Sequence, residues 1–189
     1  FYRLSVLLLN IGARVLRDVF TFYYLQQNTL EVYLNKSSNK RQLFQLRGNV
    51  LRQDQLDALY PPCGIKPSVQ NLDISLLYVL LRNLDISKHW TDNVWTNPSS
   101  NDHSFQADVA RIKNTRNTLF AHVTLASLDT VTFNKEVKNL ETMYMRLISP
   151  LQGTQMTKNK LQEVIDQDLR GPLQPDLDNE LAIVQAEIE

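Results

Sequence analysis

The stretch Asp73-Ile74-Ser75-Leu76-Leu77-Tyr78-Val79-Leu80-Leu81 is the most apolar in the chain. Wound as a helix, it is apolar around most of its circumference, and such a helix belongs at the centre of a bundle. Asp73 stands where an N-terminal cap is needed, because a short carboxylate accepts hydrogen bonds from the N–H groups that a first turn leaves unpaired. The spacing predicts a helix over 73–84.

Working outward downstream, 85–104 holds Trp90, Trp95, Pro98 and several Asn and Ser residues, and reads as a long loop pinned by aromatic side chains. Ser104 or Asp102 can cap a helix over about 105–123, with Phe105, Val109, Ile112, Leu119 and Phe120 available for burial. A further helix over about 131–148 uses Val131, Phe133, Val137, Leu140, Met143, Tyr144 and Leu147, and Pro150 closes it. Upstream, Leu4, Leu7, Leu8, Ile11, Val15, Leu16 and Phe20 recur at spacings of three and four, which predicts a long first helix over about 2–26. Three short helices follow. One is capped by Asn28-Thr29 and carries Leu30, Val32, Tyr33 and Leu34; Lys40–Leu46 follows the break at Ser37-Ser38-Asn39 and ends at Gly48; Gln53–Leu59 is stopped by Pro61-Pro62, after which 61–71 is a loop. Only five glycines and few period-two alternations leave little case for a sheet, so the expected fold class is all-α.

At 189 residues and 43% hydrophobic composition, the chain suits one domain with an appendage. Because it opens on Phe1, a region of a longer protein is expected. A single cysteine, Cys63, closes no intramolecular disulfide and makes no zinc framework, which points to a reducing, intracellular and cytoplasmic setting. Val6-Leu7-Leu8-Leu9 is far shorter than the ~20 apolar residues that cross a bilayer, and Arg3, Arg14 and Arg17 interrupt its surroundings, so no membrane is expected as a partner. The net charge of zero hides an asymmetry: eight carboxylates crowd the last 27 residues against Arg170 alone. Residues 1–162 then carry 19 basic and 12 acidic side chains, a mild surplus that permits attraction to phosphates. Beyond Pro150, two weaker helical patterns, 157–169 and 176–188, are separated by Gly171-Pro172 and Pro175.

Several landmarks occur in order. Asn10-Ile11-Gly12 and Arg17-Asp18-Val19-Phe20 come first, then Leu72 to Leu77 with Leu80-Leu81-Arg82-Asn83, then Trp95, Pro98 and Asp102. The run Ala107-Asp108-Val109-Ala110-Arg111-Ile112-Lys113-Asn114-Thr115-Arg116-Asn117-Thr118-Leu119-Phe120-Ala121-His122 follows, with Asp129 and Phe133 after it. On these residues the chain resembles the HEPN domain family of the DAZ-interacting zinc-finger ubiquitin ligase (DZIP3-like HEPN). The resemblance covers about 1–149, taken as the HEPN-like helical domain, and leaves 150–189 as an acidic, helical extension or linker. It implies a HEPN-type helical bundle that commonly dimerises, with the Arg and His helices of two chains meeting in a cleft. It also implies membership of a multidomain protein of signalling or innate immunity. Catalytic members of the wider superfamily are metal-independent ribonucleases, and others bind RNA or nucleotide without cutting. No ubiquitin-ligase ring exists in this chain, which has only Cys63.

Metal-free RNA cleavage needs a proton-transfer group active near neutral pH and a cation for the five-coordinate phosphate. His122, whose imidazole has an unperturbed pKa near ~6.5, and Arg116, whose guanidinium presents a fork of donors, are the right types, with Asn117 as an orienting group. In this scheme the RNA's own 2′-hydroxyl attacks and a 2′,3′-cyclic phosphate results. Six residues at about 100° each set Arg116 and His122 about 120° apart on one helix, so a composite site from two subunits is one resolution. Arg111, Thr115, Thr118 and His122 share a helical phase and form a rival polar stripe. Each residue also has a structural reading. Arg116 can pair with Asp73 or Asp108 as a polar cluster between helices, and His122 can face helix carbonyls. Trp90 and Trp95 can stack on bases but more often anchor packing. His89 and His103 read as surface residues, and no metal or cofactor is expected.

The reading taken from the sequence is a HEPN-type RNA- or nucleotide-binding or protein-interaction module acting as a homodimer. Its RNA-binding residues are Arg111, Lys113 and Arg116, with single-stranded RNA or a nucleotide as ligand and a protein partner expected through 150–189. The alternatives are a ribonuclease using Arg116, Asn117 and His122, and a purely structural dimerisation domain.

Overall fold

The computed structural model describes residues 4–5, 7–62, 64–84, 92–121, 130–151, 159 and 161–163. The first helix, α1, is continuous but not uniform: a π-helical segment Leu7–Gly12, an α-helical segment Ala13–Phe20 and a second π-helical segment Thr21–Leu25. It ends at Gln26, whose φ of 53° lies outside the helical region. Leu4, Leu7, Leu8, Ile11, Val15, Leu16 and Phe20 are all buried, as their spacing predicted, and Val19 is buried with them. Each such side chain contributes roughly 1.5–3 kcal/mol by leaving water.

Helix α2 (Leu30–Leu34) is capped by Thr29, whose hydroxyl accepts from Val32 N at 3.3 Å; Val32 itself is exposed. Helix α3 (Ser37–Gln45) starts three residues before the expected Lys40. Serine and asparagine are poor in helix interiors but suit a first turn, and Asn39 there donates to the Tyr33 carbonyl at 3.0 Å. Gly48 takes φ 80° in the turn that follows. Helix α4 (Gln53–Leu59) stops at Tyr60, before the two prolines.

Helix α5 (Ile74–Asn83) is the central rod: Ile74 and Leu76 to Leu81 are all buried. Asp73 caps it, its Oδ1 accepting from Leu76 N at 2.7 Å. Asp73→Ala should therefore destabilise the domain by about 1 kcal/mol, a fall of roughly 2–4 °C in melting temperature followed by circular dichroism. An unchanged melt would show that the cap contributes nothing.

The stretch 85–104 contains a short helix that its composition did not reveal, α6 (Asp92–Thr96). Trp95 is buried at 3% exposure, its ring edge-on to Tyr78 at 5.9 Å, and its carbonyl accepts from the Tyr78 hydroxyl. Tertiary contact rather than local propensity thus holds five residues that are too few for a stable isolated helix. Helix α7 (Phe105–Ala121) is capped by Ser104, whose Oγ accepts from Ala107 N at 3.3 Å. Asp102 accepts from Ser104 N at 2.8 Å, and these bonds from Ser104 hold its carboxyl below the ordinary range. Helix α8 (Thr130–Ile148) buries Val137, Leu140, Met143, Tyr144, Leu147 and Ile148. Val131, expected in the core, is 78% exposed, because the apolar register of this helix engages only from Phe133 onward.

Helix α1 packs on α5 and α8, α5 on α7, and α7 on α8, which gives a bundle around the α1–α5 pair. Among the described residues there is no strand; Arg47 and Leu51 form one isolated bridge. No described helix is long and apolar enough to cross a membrane. The core extends past residue 149, since Leu151 and Leu161 are buried at 5% and 2% exposure. The expected helix over 157–169 is seen only at 159 and 161–163, and the one over 176–188 lies outside the described residues, as do Cys63, His89, Trp90, His122 and Asp129.

Candidate functional site

Along α7 the buried side is set by Val109, Ile112 and Arg116, spaced three and four apart. The last of these is a cation where the pattern calls for an apolar residue. Arg116 is 3% exposed, and its Nη1 donates to Asn117 Oδ1 at 3.1 Å. The other side carries Arg111 and Thr115, half-buried, and Thr118, exposed; the stripe's fourth member, His122, lies outside the described residues.

Asp108, in the first turn of α7, is 1% exposed and is the anchor of the helix's N-terminal half. Arg146 of α8 grips it bidentately, Nε to Oδ2 at 2.7 Å and Nη2 to Oδ1 at 2.6 Å. This fork, chiefly its hydrogen bonds, pushes the Arg146 guanidinium further up from its ordinary value. Arg111 joins from one turn on, Nη1 to Asp108 Oδ1 at 3.2 Å, and its Nη2 donates to the Ser99 carbonyl at 2.5 Å. Asn114 adds a bond to the Thr96 carbonyl at 3.2 Å. Arg111, read from sequence as an RNA contact, thus ties the loop after α6 to α7.

Of the anticipated polar cluster, Asp73 caps α5 and Asp108 engages Arg111 and Arg146. Arg146 was missed by sequence reasoning. It stands in the last turn of a helix where a cation reads as solvated or as facing the dipole, and nothing local links it to a carboxylate 38 positions earlier.

Lys113 leaves α7 on the side of α5. It is half-buried, with Nζ 5.6 Å from the centroid of the Tyr78 ring. Burial holds its ammonium below the ordinary lysine value, and the neighbouring charges of Arg116 and Arg82 lower it further. Three cations from two helices therefore share one neighbourhood beside Tyr78 and Trp95. An anion bound there would stabilise the charged form of Lys113. Arg82 is one of the family landmarks, and its place in the last turn of α5 gives no local signal of a site.

Compared with known proteins, residues 27–171 match the family model described as DZIP3/hRUL138-like HEPN. No curated protein and no solved structure matches the chain. The match spans about three quarters of the sequence, takes in every helix from α2 to α8, and reaches beyond Leu161, the last buried core residue among those described. With helices α2 to α8 and the Arg-Asn pair of α7 inside that span, the chain belongs to the DZIP3/hRUL138-like HEPN family.

Proposed function

We propose that this HEPN module binds RNA or a nucleotide through the cations at the middle of α7 and acts as a homodimer. The observation that supports the reading is the crowding of Lys113, Arg116 and Arg82, with Lys113 half-buried against Tyr78 and its ammonium disfavoured there. A phosphate would offset both the burial and the repulsion. In this reading Lys113 touches the ligand. Arg116, at 3% exposure, is a positioning residue that holds Asn117 and adds to the field, and Arg111 with Asn114 holds the wall formed by 96–99.

The same burial favours binding over cleavage, because a ribonuclease built on Arg116, Asn117 and His122 requires the guanidinium at the scissile phosphate. For the homodimer, the support is the family's habit together with partial exposure of Thr115, Asn117, Thr118 and Leu119 along α7. From the family's habit we read the chain as part of a multidomain signalling or innate-immunity protein, from its single cysteine as cytoplasmic, and from the helical patterns of 150–189 as making a further protein contact there.

The test is fluorescence anisotropy with a labelled 20-mer oligouridylate at low salt, run beside a gel assay for cleavage in the presence of a chelator. Lys113→Gln should weaken binding about tenfold, the scale of one charge-assisted contact. It should not destabilise the fold. The depressed folded-state pKa means that the charged form costs stability at neutral pH, a cost that fades as pH rises past that pKa, so removing the charge removes the cost. Cleavage abolished by His122→Ala would replace this reading with the ribonuclease. Absence of RNA binding, with a dimer in sedimentation, would leave the dimerisation domain.

A further inference from the structure

We propose that α3 and the turn after it form a second polynucleotide-binding surface, separate from α7, which takes single-stranded RNA by stacking a base on Phe44 and neutralising its phosphates with the surrounding cations. Between Glu31 and Asp54 every charged residue is basic: Lys36, Lys40, Arg41, Arg47 and Arg52. Arg52 is taken by Asp54 at 3.0 Å. The other four are exposed, and among the described residues none of them is paired with a carboxylate. An isolated surface charge is ordinary; four within twelve residues and no carboxylate between them make a local positive field.

Aromatic rings interleave with these cations. The Lys40 ammonium lies 5.5 Å from the Tyr60 ring centroid, and Phe44, one turn further along α3, lies 5.2 Å from the same ring. Lys36 sits over Tyr33 at 5.1 Å. Phe44 is 43% exposed although Leu43 beside it, fully buried, supplies the packing of α3. The helix is further held by Gln42 Nε2, which donates to the Asn83 carbonyl. Phe44 is thus a partly exposed ring packed against Tyr60 and flanked by cations, which is the combination that single-stranded nucleic acid uses: every base has a π-face, and every linkage a charge.

An anionic membrane would also be drawn by the charge. It needs a broad apolar helix face to enter the headgroup boundary, however, and here α3 exposes Phe44 alone, Leu43 being buried, while the turn after it adds the exposed Val50. A single exposed ring suits one base.

The experiment uses the full chain and a 4-thiouridine-containing oligouridylate. After photocrosslinking, trypsin cuts behind Arg41 and Arg47 and releases the Gln42–Arg47 peptide. A uridine adduct is expected on this peptide. Phe44→Ala should weaken binding about fivefold, the low end of what one stacked base contributes. Lys40→Gln with Arg41→Gln should weaken it about tenfold at low salt and reduce the slope of log K against log salt by about 1.4, since each single-strand phosphate contact contributes about 0.7. All three side chains are exposed, and circular dichroism should show an unchanged fold. Adducts confined to α7 peptides, with both α3 variants at wild-type affinity, overturn this surface and leave the α7 reading intact. An adduct on 42–47 with Lys113→Gln at wild-type affinity does the reverse. Two other results overturn the proposal: no oligouridylate binding at low salt, or binding to phosphatidylserine vesicles that Phe44→Ala abolishes while RNA affinity stays unchanged.

Discussion

Asp108→Ala should lower the stability of the domain by about 3 kcal/mol, which moves the urea midpoint down by roughly 1–2 M. The carboxylate is buried at 1% exposure and accepts three hydrogen bonds, from both ends of the Arg146 fork and from Arg111. Removing it leaves two guanidiniums facing a low-dielectric pocket. The cost stays at the low end of what breaking a buried pair entails, because the Arg146 side chain is 33% exposed and can recover part of its hydration. A local effect should accompany the global one. Arg111 also holds the Ser99 carbonyl, so the stretch 96–104 should lose hydrogen-exchange protection in Asp108→Ala beyond the general decline. A double-mutant cycle with Arg146→Ala should give a coupling above about 1 kcal/mol. Should Asp108→Ala melt within 1 kcal/mol of wild type, the clamp is not a stability element.

Gly12→Ala is the second large effect, and its sign runs against helix propensity. Replacing glycine by alanine inside a helix normally gains up to about 1 kcal/mol. Here the new Cβ would lie 2.7 Å from the Tyr144 hydroxyl oxygen, with Ile74 Cδ1 and the Leu7 carbonyl oxygen both at 3.5 Å. Tyr144 is completely buried, and its hydroxyl donates to that Leu7 carbonyl at 2.9 Å, so the ring has no direction in which to yield freely. Overpacking costs about 1–3 kcal/mol and loss of the buried hydrogen bond about 1 more. The net expectation is a destabilisation of about 2 kcal/mol. The Tyr144→Phe background provides the control: it removes the obstructing oxygen, so Gly12→Ala made there should be near neutral or stabilising. A Gly12→Ala protein more stable than wild type in the Tyr144 background would refute the close contact between α1 and α8.

Both effects lie where distant segments meet, and that is the line dividing what the amino-acid order determined from what it left open. Apolar spacing with few glycines determined the helical class, and an apolar run around most of the circumference determined the central place of Ile74–Leu81, because burial of a helix's apolar surface is written in its own sequence. Local caps were equally legible: Asp73, Thr29 and Ser104 all serve the first turns that follow them, since a cap reaches only three residues. Cys63, His89, Trp90 and His122 keep only the readings their sequence context gives them, being outside the described residues.

Tertiary structure decided the rest. The helix Asp92–Thr96 exists because Tyr78 and Asn114 bind its carbonyls, a stabilisation that no window of five residues contains. Val131 has the residue type of a core position and the exposure of a surface one, since α8 meets the bundle only from Phe133 onward. Arg116 was the cation that the sequence offered to Asp108. Arg146 takes it because the α7–α8 packing brings a guanidinium fork to a carboxylate across 38 residues, and charge pairing depends on distance in space, to which order along the chain gives no access.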